Sequence, residues 1–189
     1  FTNLTEICRK IKTMKIIKGI AIMAVVATIF TSCVGIPDGV TAVQNFNKDK
    51  YLGKWYEIAR FDFRFERNLD NTTAQYSINP DGSIKVLNQG YNYVKKEWDS
   101  AEGKAKFVGS ESEARLKVSF FGPFYGGYNG VDIDENYQNA LVYGNSTKYM
   151  WILSRTKTID KATKKRFIEK AKKDGFDVSK LIWVNHNKD

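Results

Sequence analysis

The stretch YLGKWYEIARFDFRFER, residues 51–67, carries the signals that decide the fold. It opens with a Gly-Lys-Trp tripeptide just before a run of aromatic and aliphatic residues. A strand that enters a hydrophobic core alternates apolar and polar residues and then stops at a turn. Here the chain remains aromatic and basic where a turn is expected, which indicates that the segment after the strand is more than a simple connection.

Downstream of this stretch, short runs of period two alternate with turn residues as far as Arg155. The Asn-Pro-Asp-Gly sequence at 79–82 is typical of a tight hairpin turn. Together with the opening strand from Leu52, the runs predict about eight strands at roughly 10-residue spacing, which favours an antiparallel barrel or sandwich. The runs are 72–78, 83–91, 98–107, 114–121, 128–133, 139–143 and 148–155.

One helix is predicted, after the last strand. Residues 159–175 (IDKATKKRFIEKAKKDG) follow a capping Thr158 or Asp160 and end at Gly175, and their apolar residues form one stripe. The segment 157–173 contains eight Lys/Arg and two Asp/Glu, a net charge of +6. Such a basic face is typical of a solvated helix, and the alternative is that it rests on anionic lipid head groups.

The N-terminal residues have the features of a signal peptide. From Met14, two lysines precede an apolar run at 19–30, which is shorter than the ~20 residues of a membrane span. The sequence FTSC, ending at Cys33, is similar to the lipobox of bacterial lipoproteins, in which the cysteine carries the lipid; an ordinary secretory signal is the alternative. We predict an upstream extension and signal peptide at 1–32, a lipidated tether at 33–44 and a folded domain at 45–189.

Charge and composition exclude several classes of function. The chain carries 30 Lys/Arg against 21 Asp/Glu, net +9, and removal of residues 1–32 lowers this to +5. Because the helix segment alone accounts for +6, the rest of the domain is close to neutral, which argues against a nucleic-acid partner. His186 is the single histidine, which excludes a His-based catalytic triad and a His-ligated haem. Glu57 and Glu102 have no evident partner, so we predict no enzyme, no cofactor and no metal site.

Gly53-x-Trp55 on the first strand and Arg155 at the end of the last, just before a helix, resemble the lipocalin family. In that family an arginine packs over the tryptophan at the closed end of the barrel, a cation–π contact that plugs the floor. The resemblance implies an all-β fold, an eight-stranded antiparallel up-and-down β-barrel with one C-terminal α-helix packed outside. It also implies that Gly53, Trp55 and Arg155 form the barrel floor.

The resemblance covers residues 45–184 and is most marked for bacterial outer-membrane lipoprotein members. It is carried by GKWYEIARFDFRFER, LKVSFFGPFYGGYN, YMWILSRT and GFDVSKLIWV, whereas ENYQNALVYG (135–144) matches a second family motif more loosely. The aromatic and basic segment 62–70 would then be the first loop, lying across the open end. Phe63 and Phe65 would face a ligand or a membrane, with Arg64 and Arg67 near an anionic head group; the alternative is that the aromatic residues pack on the rim.

Alternation places large apolar side chains on the inner face of such a barrel, with small ones between them that leave room for one small ligand. From Trp55, the first strand would carry Glu57, Ala59 and Phe61 up the inner face. Each lining residue taken singly is also typical of core packing. The predicted ligand-lining residues are Phe61, Phe63, Tyr76, Tyr91, Phe107, Leu116, Val118, Phe120, Phe124, Tyr128, Trp151 and Leu153.

The resemblance implies a membrane-anchored protein that holds a fatty acid or lysophospholipid in the barrel, for lipid storage or transport in envelope maintenance. It implies an outer-membrane lipoprotein, anchored through a lipid on Cys33, on the periplasmic side. A homodimer is left open. The alternative is a tethered structural or interaction protein whose barrel is filled and binds no lipid.

Overall fold

The structure is a computed structural model and describes residues 34–188. The signal peptide predicted at 1–32 and the lipidation predicted at Cys33 lie outside the described residues. Within residues 34–188, no helix has the length and apolar character needed to cross a membrane. The same residues include no group of His, Cys, Asp or Glu that could hold a metal ion.

Eight antiparallel strands close into a barrel, which confirms the predicted fold. Each strand pairs with the next in sequence, and β1 closes the sheet because it pairs with both β2 and β8. In chain order the elements are α1 (Lys48–Tyr51), β1 (Gly53–Arg60), β2 (Leu69–Ile78), β3 (Ile84–Asn92), β4 (Glu97–Phe107), β5 (Arg115–Phe121), β6 (Phe124–Ile133), β7 (Asn139–Tyr143), β8 (Met150–Ser154), α2 (Lys161–Lys173), a 3-10 turn (Val178–Lys180) and β9 (Ile182–Trp183).

Helix α2 packs on the outside of the barrel and forms a second hydrophobic core there. Phe167 and Ala171 are fully buried in this outer core, together with residues of β7 and β8. Asp160 caps the helix by accepting hydrogen bonds from two N–H groups of its first turn at 2.9 Å. Gly175, with a φ of +87°, lies just after the last turn. The predicted helix is therefore present, two residues shorter at each end.

The hairpin loops divide the barrel into two ends. We call the end towards which β1 runs the open end, and the end covered by α1 the closed end. The open-end loops are 61–68, 93–96, 122–123 and 144–149, and the closed-end hairpin loops are 79–83, 108–114 and 134–138.

A β-bulge in β1 changes which side chains reach the interior. The pairing of β1 with β8 shifts register between Glu57 and Ala59, and an extra residue in a strand reverses the facing of those that follow. Ala59 and Phe61 therefore belong to the outer core, while Arg60 reaches inward to Glu57. The prediction that Phe61 lines the interior is wrong, since its ring lies 6.1 Å from that of Phe176 in the outer core.

Residues 34–46 lie along the barrel wall and run from the open end to the closed end. The carbonyl of Gly35 accepts a hydrogen bond from Nδ2 of Asn129, which also donates to the carbonyl of Gly144 in an open-end loop. Val43 donates its N–H to a carbonyl of β6 at 2.8 Å, and the N–H of Phe46 donates to a carbonyl of the closed-end loop 108–114 at 2.8 Å. From residue 34 onwards, the segment predicted as a tether is thus packed against the barrel.

The C-terminal segment fills the gap where β1 and β2 separate. These strands pair only near the closed end. Higher up, Val184 donates its N–H to the carbonyl of Ile58 at 3.0 Å, and Asn71 on β2 donates its N–H to the carbonyl of Asn185 at 2.8 Å. The segment after α2 therefore completes the wall of the upper half of the barrel.

Candidate functional site

The closed end of the barrel is sealed by Arg155 and Trp55. The guanidinium carbon of Arg155 lies 3.8 Å from the centroid of the Trp55 ring, which is fully buried. The same guanidinium donates hydrogen bonds at 2.7–3.2 Å to five backbone carbonyls, which ties α1, the start of β1 and the loop 134–138 to the end of β8. The carbonyls are those of Lys50, Tyr51, Leu52, Lys54 and Tyr137.

Gly53 allows the guanidinium to lie flat against the floor. Its φ of +93° lies in the region that L side chains rarely adopt. A Cβ at this position would also lie 3.4 Å from Nη1 of Arg155. Glycine at position 53 is therefore required by the backbone angle, since 3.4 Å is an ordinary van der Waals contact.

The lower half of the interior is filled by aromatic side chains. The hydroxyl of Tyr128 lies 2.7 Å from that of Tyr51 and 2.8 Å from that of Tyr76. Burial raises the pKa of all three phenols, so they remain neutral and share protons in hydrogen bonds. The cavity beside them measures about 10 Å³, room for about one water molecule. An acyl chain does not fit into a cavity of this size.

The upper half of the interior is different, because inward-facing side chains there keep contact with solvent. On the inner face of β4, Ala105 is buried, whereas Ala101, closer to the open end, is exposed. Phe120 and Trp151 are only partly buried. Space beside Gly103 is not free, since a Cβ there would lie 2.8 Å from the ring of Phe120. We call this solvent-reached upper half the upper chamber.

A buried arginine and a buried carboxyl group, hydrogen-bonded to each other, form part of one wall of the upper chamber. Nη1 of Arg60 donates to Oε1 of Glu57 at 2.9 Å, and the two side chains are 2% and 8% exposed. Thr72 donates its hydroxyl to the same oxygen at 3.0 Å, and Nη2 of Arg60 donates to the carbonyls of Glu66 and Leu69. Nε of Arg60 is buried and has no hydrogen-bond partner among residues 34–188, so this N–H is an unsatisfied donor within the wall.

A second carboxylate completes the wall. Oε2 of Glu66, on the first open-end loop, accepts a hydrogen bond from Nε1 of Trp151 at 2.9 Å. Burial, and then repulsion by the charge of Glu66, raise the pKa of Glu57 to about 8. Burial likewise raises the pKa of Glu66. At pH 7 Glu57 is therefore mostly protonated, and the wall as a whole is close to neutral.

The raised pKa of Glu57 predicts that stability falls as the pH rises from 6.5 to 8.5. The folded protein keeps this proton up to about pH 8, whereas the unfolded chain releases it near 4.5. The stabilisation is therefore complete below the unfolded pKa and is lost as pH rises through the folded one. We expect the free energy of unfolding, measured by urea titration, to decrease by roughly 1–2 kcal/mol over this window.

The matched variant for this prediction is Glu57→Gln, which should flatten the slope above pH 6.5. His186 has a lowered pKa because it is partly buried, so it contributes a slope of opposite sign that fades above its ordinary value of 6.5. This contribution is common to the wild type and to Glu57→Gln and cancels in their comparison. An unchanged slope in Glu57→Gln would show that Glu57 is already ionised at pH 6.5.

The structure brings eight of the twelve predicted ligand-lining residues together in the barrel interior. Phe63 lies apart from them at the open end, with its ring 5.4 Å from that of Tyr149 and 6.4 Å from that of Trp151. The eight are Tyr76, Phe107, Leu116, Val118, Phe120, Tyr128, Trp151 and Leu153.

The remaining three are placed elsewhere. Phe61 lies in the outer core. Tyr91 points away from the interior, because the inner face of β3 carries Ile84 and Val86 and alternation then puts position 91 outside. Its ring contacts the ring of Trp98, and Nζ of Lys188 lies 4.1 Å from its centroid in a cation–π contact. Phe124 is 74% exposed at the rim of the open end.

The two predicted head-group arginines are both exposed at the open end. Arg67 is paired with Asp62 through hydrogen bonds of 2.8 and 3.1 Å. The guanidinium of Arg64 lies over the ring of Phe65, 5.2 Å from its centroid. Arg64 is therefore the less neutralised of the two cations.

Sequence reasoning missed Arg60, Glu66 and Thr72. Strict alternation from Trp55 puts Arg60 on the outside, and a bulge leaves no mark in the residue pattern. One signal was present: Glu57 falls on the inner face, and a buried carboxylate requires a proton, a cation or hydrogen-bond donors. A search for that partner among nearby basic residues would have pointed to Arg60.

The family model described as a lipocalin-like domain matches residues 46–186. The chain is 57% identical over 148 residues to the outer membrane lipoprotein Blc of Citrobacter freundii, covering 78% of this chain and 84% of that protein. It is 49% identical over 159 residues to the protein of that name from Vibrio cholerae, covering 84% and 93%. Insecticyanin from the tobacco hornworm Manduca sexta has the same fold, with a TM-score of 0.62 at 20% identity, over 80% of this chain and 86% of that one.

Proposed function

Because this chain belongs to the lipocalin family, a family of binding proteins rather than enzymes, we propose that it is an outer membrane lipoprotein that holds a fatty acid or a lysophospholipid in its upper chamber. The relatives named as outer membrane lipoproteins support the location. We further propose that a lipid on Cys33 is the anchor, on the periplasmic side, and that the bound lipid is stored or carried in envelope maintenance.

One observation carries the ligand proposal: inward-facing apolar residues of the upper chamber, such as Phe120 and Trp151, retain contact with solvent while the lower half is filled. Apolar surface that remains wet inside a barrel is surface that an acyl chain can cover. Directly beside Trp151, the same wall carries the polar side chains of Arg60, Glu57 and Glu66. A chamber that combines apolar surface with a polar patch suits an amphiphile better than a hydrocarbon or a sugar.

The acyl chain alone leaves at most about 6 kcal/mol of net binding free energy, a Kd of tens of micromolar. Burying about 12 methylene groups at ~0.8 kcal/mol each contributes roughly 10 kcal/mol. Loss of ligand freedom and ordering of side chains cost ~4–15 kcal/mol. Because one methylene at ~0.8 kcal/mol changes the affinity only about fourfold, we expect little selectivity for chain length.

Native mass spectrometry of residues 34–189, made without the lipid, tests this proposal. This fragment contains every strand and both helices, so we expect it to fold alone. A lysophospholipid titration should give a one-to-one adduct, which Trp151→Ala weakens about tenfold, because the indole contributes to the apolar surface that the ligand covers.

Trp98→Ala is the matched control, since Trp98 lies outside the barrel next to Tyr91, and it should leave the affinity unchanged within twofold. Absence of any adduct for fatty acid and lysophospholipid at tens of micromolar would contradict lipid carriage. It would favour the second candidate, a tethered interaction protein with a filled barrel. The small cavity in the lower half of the barrel, about 10 Å³, supports this candidate.

A further inference from the structure

Exposed apolar side chains are concentrated at the open end of the barrel. Of the nine large apolar residues that are exposed between positions 34 and 188, six lie on or beside the open-end loops, and two more are on β9, beside the last residues of β1. Ile78, near the closed end, is the ninth. We call the six the rim patch; they are Phe65, Tyr93, Val94, Trp98, Phe121 and Phe124.

Two side chains of the rim patch meet across different loops. Phe65 and Phe121, from different loops, contact each other with ring centroids 5.8 Å apart, and both remain more than half exposed. Exposed apolar side chains gathered at one end of a molecule indicate a surface that a partner covers. Aromatic residues are the ones preferred at a membrane–water interface.

Net charge also differs between the two ends, and the open-end loops are the more positive. The four open-end loops contain five Lys/Arg and two Asp/Glu, net +3, and one of the two acids, Glu66, is turned inward to Trp151. The three closed-end hairpin loops contain five Asp/Glu and no Lys or Arg, whereas α1 at the same end adds two Lys and one Asp. Two of the five acids, Asp81 and Glu111, pair with Lys104 and Lys48. An anionic surface therefore attracts the open end and repels the closed-end loops.

The path of the N-terminal segment points the same way. The chain enters the described structure at Val34, and Gly35 is held beside the open-end loop 144–149 through Asn129. From there the chain runs away from that end, along β6, to Phe46 at the closed end. A lipid on Cys33 is attached one residue before Val34, about 3.8 Å along the chain, so an anchor at this position holds the open end close to the bilayer without a long spacer.

We propose that the open end of the barrel docks on the anionic bilayer to which the protein is anchored, with the rim patch inserted among the lipid head groups and the upper chamber opening directly onto the membrane. The proposal rests on the lipid anchor of the proposed function and adds an orientation to it. Lipid then exchanges between chamber and bilayer without crossing water. Lys95, Lys96 and Lys148 contact the anionic head groups around the mouth.

Site-specific fluorescence tests the orientation. Residues 34–188 contain no cysteine, so single cysteines can be introduced at three exposed sites and labelled with an environment-sensitive dye. Thr147→Cys reports on the open end, Asn136→Cys on the closed end and Lys172→Cys on the basic helix α2. The protein is isolated from membranes and reconstituted into vesicles of phosphatidylethanolamine and phosphatidylglycerol.

We expect a blue shift of dye emission at position 147 and none at positions 136 and 172. A shift at position 136, or at no position, overturns the proposal. A shift at position 172 also overturns it, because α2 would then be the docking face. A shift at 147 that needs no vesicles and grows with protein concentration also overturns it, since a second copy of the chain would then cover the mouth.

A rim variant gives a second, independent reading. Val94→Ser/Phe121→Ser removes two exposed side chains from different loops and should weaken the binding of residues 34–189 to the same vesicles about tenfold or more. Ile78→Ser, which removes an exposed apolar side chain at the closed end, should leave it unchanged. Equal effects of the two variants overturn the proposal. Lysophospholipid binding is measured in parallel by mass spectrometry. Docking without an adduct contradicts the carrier function alone, and an adduct without docking contradicts the proposed orientation alone.

Discussion

Arg155→Ala is expected to lower the free energy of unfolding by about 3–4 kcal/mol, one of the two largest effects that the structure predicts for a single substitution. The variant loses the cation–π contact with Trp55 and leaves five backbone carbonyls without their shared donor. Hydrogen bonds from a charged group contribute about 1.5–3 kcal/mol each, but water can reach part of this floor and replaces some of them. Urea unfolding monitored by circular dichroism measures the loss.

Arg155→Lys is the control for this prediction. A lysine keeps the charge but cannot stack flat on the indole or reach several carbonyls at once, so we expect it to recover less than half of the lost stability. If lysine restored full stability, charge alone would hold the floor, and the stacked geometry would be incidental.

Arg60→Met is expected to cost about 3–5 kcal/mol at pH 8.5, because it leaves two buried carboxyls without their cation. The side chain of Met fills similar space, so the cost comes from the charges of Glu57 and Glu66 rather than from a cavity. At pH 6 the folded wild type and the folded variant both keep Glu57 protonated, since burial has raised its pKa. The loss in the free energy of unfolding should therefore be clearly smaller at pH 6. The pH dependence separates this mechanism from simple loss of packing.

Arg60→Met/Glu57→Met tests the same mechanism from the other side. Replacing both members of a buried ion pair by apolar residues is often neutral, whereas removing one member is costly. Glu66 keeps its hydrogen bond from Trp151 in this variant. We therefore expect the double variant to be more stable than Arg60→Met at pH 8.5. A double variant that is less stable than the single one would mean that Glu57 stabilises the fold independently of Arg60.

The fold could be predicted from the sequence because its signals are local and repeated. Period-two runs, turn residues and one amphipathic helix give the strands and the helix in order, and Gly53, Trp55 and Arg155 distinguish a barrel from a sandwich. The helix ends were also foreseeable, because Asp160 and Gly175 have capping chemistry that depends only on neighbouring residues.

The candidate site was harder to predict because it depends on register. A single extra residue in β1, between Glu57 and Ala59, exchanges the inner and outer faces of the strand beyond it. That exchange moves Phe61 out of the chamber and brings Arg60 in. A bulge in β6, between Gly130 and Asp132, has the same consequence, since alternation from Tyr128 would place Asp132 inside and Ile133 outside. Instead Asp132 points outward and pairs with Arg166 of α2, while Ile133 packs on the inner core. Packing of the whole barrel decides such bulges, and no short pattern of residues encodes them.

The most direct measurement is quenching of tryptophan fluorescence by a lysophospholipid brominated on its acyl chain, which quenches only an indole that it contacts. In the double variant Trp98→Phe/Trp183→Phe, two of the four tryptophans remain. They are Trp151 in the upper chamber and Trp55 at the barrel floor. We predict saturable, one-to-one quenching that disappears when Trp151 is also changed to Phe. No quenching, or quenching that persists from Trp55 alone, would contradict the conclusion that lipid occupies the upper chamber.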